Sequence, residues 1–239
     1  MTRPLPLRAV VFDLDGTLLD SLPLVLAAIS HALEPFGPRP TMEIFAKLGG
    51  PPERFLATLL DDLGNVPSAL ARMEAYHHEN AHLIQPYQGV GGLLETLRRG
   101  GLMIALWTGR DRATTDALLR AHNLERYFAT VVCGDDLPTH KPDPEGLREI
   151  MRRLSVEPQD CLFVGDADVD VLGGVGCGVD TLLIRHARAV EMHIVEQSWH
   201  TVESPLEAFA MLLAMVASAS SDHAVKPSTV GVTRRGKRP

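Results

Sequence analysis

Cysteine is scarce in this chain. Cys133, Cys161 and Cys177 are too few and too scattered for a disulfide framework or a zinc site. They are read as small buried apolar residues, and a reducing cytoplasm is the expected location. Long apolar runs are missing too. No stretch reaches the roughly 18 to 20 residues that a membrane helix needs, so no membrane partner is expected. The opening Met1-Thr2-Arg3-Pro4-Leu5-Pro6 is short and broken by proline, and leaves no readable signal peptide. No internal repeat is evident. Finally, no convincing strand can be found between residues 20 and 86.

What is present is ordinary in amount and uneven in distribution. The 239 residues are 45% apolar and 22% charged, as in a typical globular protein. They suffice for one large domain, or a domain with a small insert. The net charge of −7 hides an asymmetry: residues 222–239 hold Lys226, Arg234, Arg235, Lys237 and Arg238 against Asp222 alone. That segment is +4, which leaves −11 for the rest. An acidic body argues against nucleic acid as a partner. Residues 218–239 are polar and are expected to form a disordered basic tail.

Short apolar runs alternate with helical patterns over most of the length. Residues 7–12, 102–107, 129–133, 161–164 and 181–184 are near-continuous apolar runs, as in strands covered on both faces of a parallel sheet. Helical spacing fills 92–99, 112–122, 144–154 and 168–175. A short last strand over 199–202 and a closing helix over 206–216 complete the series. This rhythm predicts an α/β fold, a Rossmann-like doubly wound parallel sheet. Within the strandless stretch, Leu22, Val25, Leu26, Ile29 and Leu33 recur at helical spacing. So do Phe55, Leu56, Leu59, Leu60 and Leu63, and then Leu70, Met73, His77, Ala81 and Ile84. Each stripe is read as core packing, His77 included. So many helices exceed one crossover connection. Residues 20–86 are therefore expected to form an inserted all-helical cap domain, with 1–19 and 87–217 as the catalytic core.

Polar residues gather where the apolar runs end. The first run ends in Asp13-Leu14-Asp15-Gly16-Thr17 and the second in Thr108-Gly109-Arg110. Lys141-Pro142 follows the third, and Gly165-Asp166-Ala167-Asp168-Val169-Asp170 closes the fourth. In an open α/β sheet the carboxyl ends of the strands line one crevice. Several carboxylates, a hydroxyl and an ammonium would meet there, a mixture suited to a hard divalent cation and a phosphate. Each motif alone is weak: Thr-Gly after a strand is often a helix cap, and Gly-Asp a turn. Their joint occurrence, in order and at successive strand ends, is a strong signal.

Those residues resemble the four motifs of the haloacid dehalogenase superfamily, over nearly the whole chain from Ala9 to about Leu212. The insert resembles the cap of members such as phosphoglycolate phosphatase and β-phosphoglucomutase. Leu19-Asp20-Ser21, Gly50-Pro51-Pro52 and Gln88-Gly89-Val90 resemble the phosphoglycolate phosphatase-like members in particular. The resemblance implies a magnesium-dependent phosphatase acting on a small phosphorylated metabolite through a phosphoaspartyl intermediate on Asp13. It implies Asp15 as acid and base, Lys141 and Thr108 as holders of the phosphoryl group, and Gly109 as a further donor. Magnesium would lie among Asp13, Asp15 and Asp166, with Asp170 orienting Lys141 or the metal's water. Superfamily members that do not cleave phosphate esters lack a carboxylate at the place of Asp15. Gly109-Arg110 departs from the asparagine often found after the motif threonine, which makes Arg110 a candidate substrate contact. Arg54, at the end of the loop over 48–54, is a second such cation.

Two other functions fit the same residues: a phosphomutase that hands the phosphoryl group to a sugar hydroxyl, and a non-catalytic binding protein on this fold. Some neighbours are given quieter roles. Asp168 is expected to face solvent, and Asp135 or Asp136 to assist Lys141. The glycine-rich stretch over 173–178 is read as a loosened helix and its turn. His78-Glu79-Asn80-Ala81-His82 matches a short zinc-protease pattern, but no third ligand is apparent, so a solvated or packed helix face is expected.

Overall fold

The first apolar run becomes β1, Ala9–Phe12, with all four residues buried. β1 belongs to a computed structural model that describes residues 7–37 and 52–224, with side chains up to residue 219. Next come β2 (Leu19–Asp20), α1 (Leu22–Leu33), α2 (Pro52–Leu59), α3 (Val66–Asn80) and β3 (Gln85–Pro86). The chain continues through α4 (Val90–Arg99), β4 (Met103–Trp107), α5 (Arg112–Ala121), β5 (Thr130–Val132) and α6 (Glu145–Leu154). It ends with β6 (Cys161–Gly165), α7 (Asp168–Val175), β7 (Asp180–Ile184), α8 (Met192–Gln197), β8 (His200–Val202) and α9 (Pro205–Ala224).

Six of the strands form one sheet in the order β5-β4-β1-β6-β7-β8, with every pairing parallel. β1 sits between β4 and β6, where the strand order reverses, so its carboxyl end opens into the crevice of the doubly wound fold. Successive residues of a strand point to opposite faces. Val10 and Phe12 accordingly pack with Leu93, Leu97 and Phe209 on one side. Ala9 and Val11 pack with Leu147, Ile150 and Phe163 on the other. Burying each large side chain of this kind contributes about 1.5–3 kcal/mol. No described helix is long and apolar enough to cross a membrane. The closing helix α9 continues to Ala224, so the segment expected to be disordered from residue 218 is helical at its start. The basic run over 234–238 lies outside the described residues.

The insert has a core of its own, built on Ile29, Ala32, Leu33, Phe55, Leu56 and Ala69. Arg72 of α3 donates to the His31 carbonyl at the end of α1, at 2.8 and 3.2 Å. β2 and β3 form an antiparallel pair that brings the two ends of the insert together. That pair corrects the expectation of no strand between 20 and 86; two-residue strands leave no periodicity to read. The second and third stripes also need correction. Leu63 is 64% exposed on a short 3-10 turn. In α3, Leu70 and Met73 pack against the insert's core as expected, and it is His77 that faces a cleft.

The glycine-rich stretch is the end of α7 at close quarters, followed over 176–178 by the expected turn. A Cβ on Gly173 would lie 2.8 Å from the Trp107 ring, and one on Gly146 of α6 would collide with the Trp107 indole nitrogen. The indole is thus held between two helices that carry no side chain where they touch it. Gly174 approaches β7 in the same way: its Cβ would overlap the Thr181 hydroxyl and lie 2.8 Å from the Val179 carbonyl. Gly174→Ala should therefore destabilise the protein. Overpacking costs about 1–3 kcal/mol, more than the roughly 1 kcal/mol that alanine gains over glycine in a helix. Urea denaturation measures the balance, and a more stable variant would contradict the close approach.

Candidate active site

Asp13 stands one residue beyond β1, where its N–H still reaches the Val164 carbonyl at 2.8 Å and fixes its place at the sheet edge. The chain then turns sharply. Gly16 takes a left-handed φ of 74°, and the Leu18 and Leu19 N–H groups return to the Leu14 carbonyl at 3.0 and 2.9 Å. A Cβ on Gly16 would overlap the Asp166 carboxylate, so only glycine lets the two loops touch.

Lys141 comes from the loop after β5. It is 6% exposed, with its ammonium 5.0 Å from the Trp107 ring centre and 5.2 Å from that of Phe163. The ammonium lies 2.5 Å from Asp13 Oδ1 and 2.8 Å from Asp170 Oδ1. The other oxygen of Asp170 accepts the N–H groups of Asp166 and Ala167 at 3.1 and 2.9 Å. Both oxygens of Asp170 are engaged, and the residue ties Lys141 to the loop that carries Asp166.

Asp15 has a different partner. Arg110 grips both its oxygens, Nε to Oδ2 at 2.6 Å and Nη2 to Oδ1 at 2.7 Å, and the Ser21 hydroxyl donates to it as well. The Thr108 hydroxyl accepts the Arg110 N–H at 3.1 Å, and His77 Nε2 lies 3.0 Å from Arg110 Nη1. His77 is therefore a half-buried cleft residue and not a core histidine. Its place on a stripe with Met73 was the available signal, but the period gives a face and not what the face meets.

Three further expectations are corrected. Asp168 is 4% exposed and pairs with Arg188 at 2.6 Å, because the turn after β7 folds over it. Asp135 and Asp136 serve Arg112 instead of Lys141: Asp135 accepts its N–H at 2.8 Å and Asp136 pairs with its guanidinium. Arg54 is exposed and is absent from the cleft wall, although Glu53 and Phe55 beside it line it. The rest of its loop, residues 48–51, lies outside the described residues. Sequence reasoning missed His186 and Arg188. His186 Nε2 lies 2.6 Å from the Gly16 carbonyl, and Arg188 Nη2 lies 3.0 Å from the Asp166 carbonyl. His186 and Ala187 are both left-handed, at φ 50° and 59°, which costs about 1–2 kcal/mol each outside glycine.

The electrostatics are uneven. Burial pushes the carboxyl groups of Asp13 and Asp166 above their ordinary range; Lys141 opposes this for Asp13, and neighbouring carboxylates add to it for both. Burial also works against the charge on Lys141, but Asp13 and Asp170 outweigh it and hold the ammonium above its ordinary value. Burial would raise Asp15 too, yet the Arg110 charge and hydrogen bonds hold it below. Five carboxylates, Asp13, Asp15, Asp166, Asp168 and Asp170, face three cations, Lys141, Arg110 and Arg188. With all five ionised, two negative charges stay unmatched, and it is Asp13 and Asp166 whose carboxyl groups are raised.

That deficit equals the charge of one divalent cation. Asp13, Asp166 and Asp170 offer carboxylate oxygens within 4.8 Å of one another, and they are the group of possible metal ligands among the described residues. Hard oxygen donors suit magnesium, calcium or manganese and not a thiophilic metal. His78, Glu79 and His82 are exposed and form no such group. All of this opens into a cleft of about 1130 Å³ between the sheet edge and the insert. Asp13, Asp15 and Lys141 form its floor, with Val25, Phe55 and His77 above them.

Known proteins share this arrangement. Residues 10–184 match the family model of the haloacid dehalogenase-like hydrolases. Phosphoglycolate phosphatase 1 of Pseudomonas aeruginosa is 38% identical over 198 residues, covering 77% of this chain and 72% of that protein. Pyrophosphatase PpaX of Halalkalibacterium halodurans is 31% identical over 191 residues, covering 76% of this chain and 85% of its own. In fold, a solved hydrolase from Pseudomonas syringae gives a TM-score of 0.72 at 23% identity, over 86% of this chain and 97% of that one. The matched span runs from β1 to the end of β7, and the chain belongs to the haloacid dehalogenase-like hydrolase family.

Proposed function

We propose that this enzyme hydrolyses a small phosphomonoester of the phosphoglycolate type, with magnesium, through a phosphoaspartyl intermediate on Asp13. It is a phosphoric monoester hydrolase, the class to which its phosphoglycolate phosphatase relatives belong. The observation that carries the reading is Asp13 itself. It is a carboxylate at the floor of the cleft, held by Lys141 and set in a site short of two positive charges.

Each side chain has a part. In its carboxylate form, which Lys141 and a bound cation would favour against burial, Asp13 needs no base and attacks phosphorus directly while the ester oxygen leaves on the far side. Asp15 gives the leaving oxygen its proton, then takes one from the water that cleaves the acyl phosphate. Lys141, the Thr108 hydroxyl and the Gly109 N–H hold the phosphoryl oxygens as charge spreads over them. Asp170 keeps Lys141 in place. Arg110 favours the carboxylate form of Asp15, so the acid step requires its guanidinium to move onto the substrate. The carboxylates of Asp13 and Asp166 and the Asp15 backbone carbonyl, with Asp170 behind them, would hold magnesium, which would supply positive charge against the repulsion between Asp13 and an anionic substrate. The insert, residues 20–86, acts as a lid that closes over the cleft and keeps bulk water out.

A panel of phosphorylated metabolites assayed with magnesium tests the reading as a whole; no turnover on any member would sink it. Asp13→Asn should lower kcat on p-nitrophenyl phosphate by roughly 10³-fold or more without changing the melting curve. Asp15→Ala should slow alkyl phosphates by about 10²–10⁴-fold and p-nitrophenyl phosphate far less, since that leaving group needs no proton. Equal losses on the two substrates argue against the acid role. Removing divalent metal with EDTA should abolish turnover, and added magnesium should restore it; activity that survives chelation contradicts the metal assignment.

A further inference from the structure

The turn after β7 carries two side chains that no step above uses. It is tightly made, with the Arg188 N–H on the Arg185 carbonyl at 3.0 Å and left-handed backbone at His186 and Ala187. Its shape aims the two side chains at two different loops. His186 Nε2 meets the Gly16 carbonyl at 2.6 Å; a carbonyl only accepts, so Nε2 is the protonated nitrogen. Tyr87 lies alongside the ring, with centroids 6.1 Å apart. Arg188 is buried and reaches the Asp166 carbonyl at 3.0 Å and Asp168 Oδ1 at 2.6 Å. The two carbonyls belong to the loops that supply Asp13 and Asp166. Those loops meet with no room to spare, since any side chain on Gly16 would overlap the Asp166 carboxylate.

A turn selected for stability alone needs neither device. Glycine would relieve the left-handed positions, and apolar side chains can replace a buried ion pair without loss. We propose that His186 and Arg188 are positioning residues for the divalent-cation site. One turn of chain grips the Gly16 and Asp166 backbones and thereby sets the spacing of the Asp13 and Asp166 carboxylates. Neither side chain is a ligand: the His186 nitrogen is engaged by a carbonyl, and Arg188 has the charge of the metal. The proposal rests on the magnesium reading above.

The test is magnesium binding to the full-length protein by isothermal titration calorimetry, with melting temperature measured separately in metal-free buffer. His186→Gly relieves the turn and removes the donor, so the melting temperature should hold or rise while the magnesium dissociation constant rises about tenfold. His186→Gln keeps an N–H at similar reach and should recover most of that loss. Asp168→Asn combined with Arg188→Gln strips both buried charges together and should weaken binding in the same way. A dissociation constant within about twofold of wild type in His186→Gly overturns the positioning role, being well short of the usual effect of outer contacts on a metal site. Weaker binding that glutamine does not rescue, with a lower melting temperature, is general damage and overturns it too. Unchanged binding in the double variant removes Arg188 from the proposal, whereas His186→Gly decides alone if that variant does not fold. Wild-type protein that binds no magnesium overturns the metal reading itself, and this inference with it.

Discussion

Carboxylates buried together repel one another and lose water, so each needs a partner within reach. At the carboxyl end of this sheet the partners are assigned almost one to one. Arg110 holds Asp15, Arg188 holds Asp168, and Lys141 is shared by Asp13 and Asp170. Among the described residues, no cationic side chain pairs with the Asp166 carboxylate. The surroundings of the site serve this uneven assignment. Trp107 and Phe163 wall the Lys141 stem, and Gly146 and Gly173 allow helices on both sides to fix the indole. A charge deficit this deep is relieved either by protonating Asp13 or Asp166, whose carboxyl groups burial already raises, or by a cation from outside the chain.

The sheet explains how so many acids came together. In a parallel sheet every strand delivers its carboxyl end to the same edge, and β1 lies at the centre with β4 and β6 on either side. Asp13, Thr108 and Asp166 therefore start from adjacent strand ends, while Lys141 arrives from the loop beyond β5. The insert shares part of that framework's core, through Leu24 and Ile84. It also has a core of its own and touches the chemistry twice, through Ser21, whose hydroxyl donates to Asp15, and through α3, whose His77 meets Arg110. Framework and insert thus meet at the residue proposed to move a proton and at its arginine partner.

The family resemblance gains a physical meaning in this setting. Relatives named for phosphoglycolate and for pyrophosphate both keep most of their length in common with this chain. A floor that presents a nucleophile, an ammonium and a cation deficit suits any transferable phosphoryl group. What differs among substrates must be met by the walls of the cleft, which come from the insert on one side and from α5 and the loop before it on the other.

The strands and helices of the core were legible because their apolar periods repeat over several residues. β1, β4, β6 and α7 fall within two residues of their expected bounds. The residues at the strand ends were legible because each lies in a short motif. The partners were not. Arg110 lies 95 residues from Asp15 in sequence and His186 lies 170 from Gly16. Asp168 looked solvent-facing because nothing near it in sequence hints at Arg188, and His77 looked like core because a period cannot tell a core from a cleft. Local sequence determined which groups are available at each strand end, since strand, turn and motif are encoded within a few residues. Tertiary structure alone decided which charge neutralises which, because a salt bridge depends on distance in space and two isolated side chains carry no pattern along the chain.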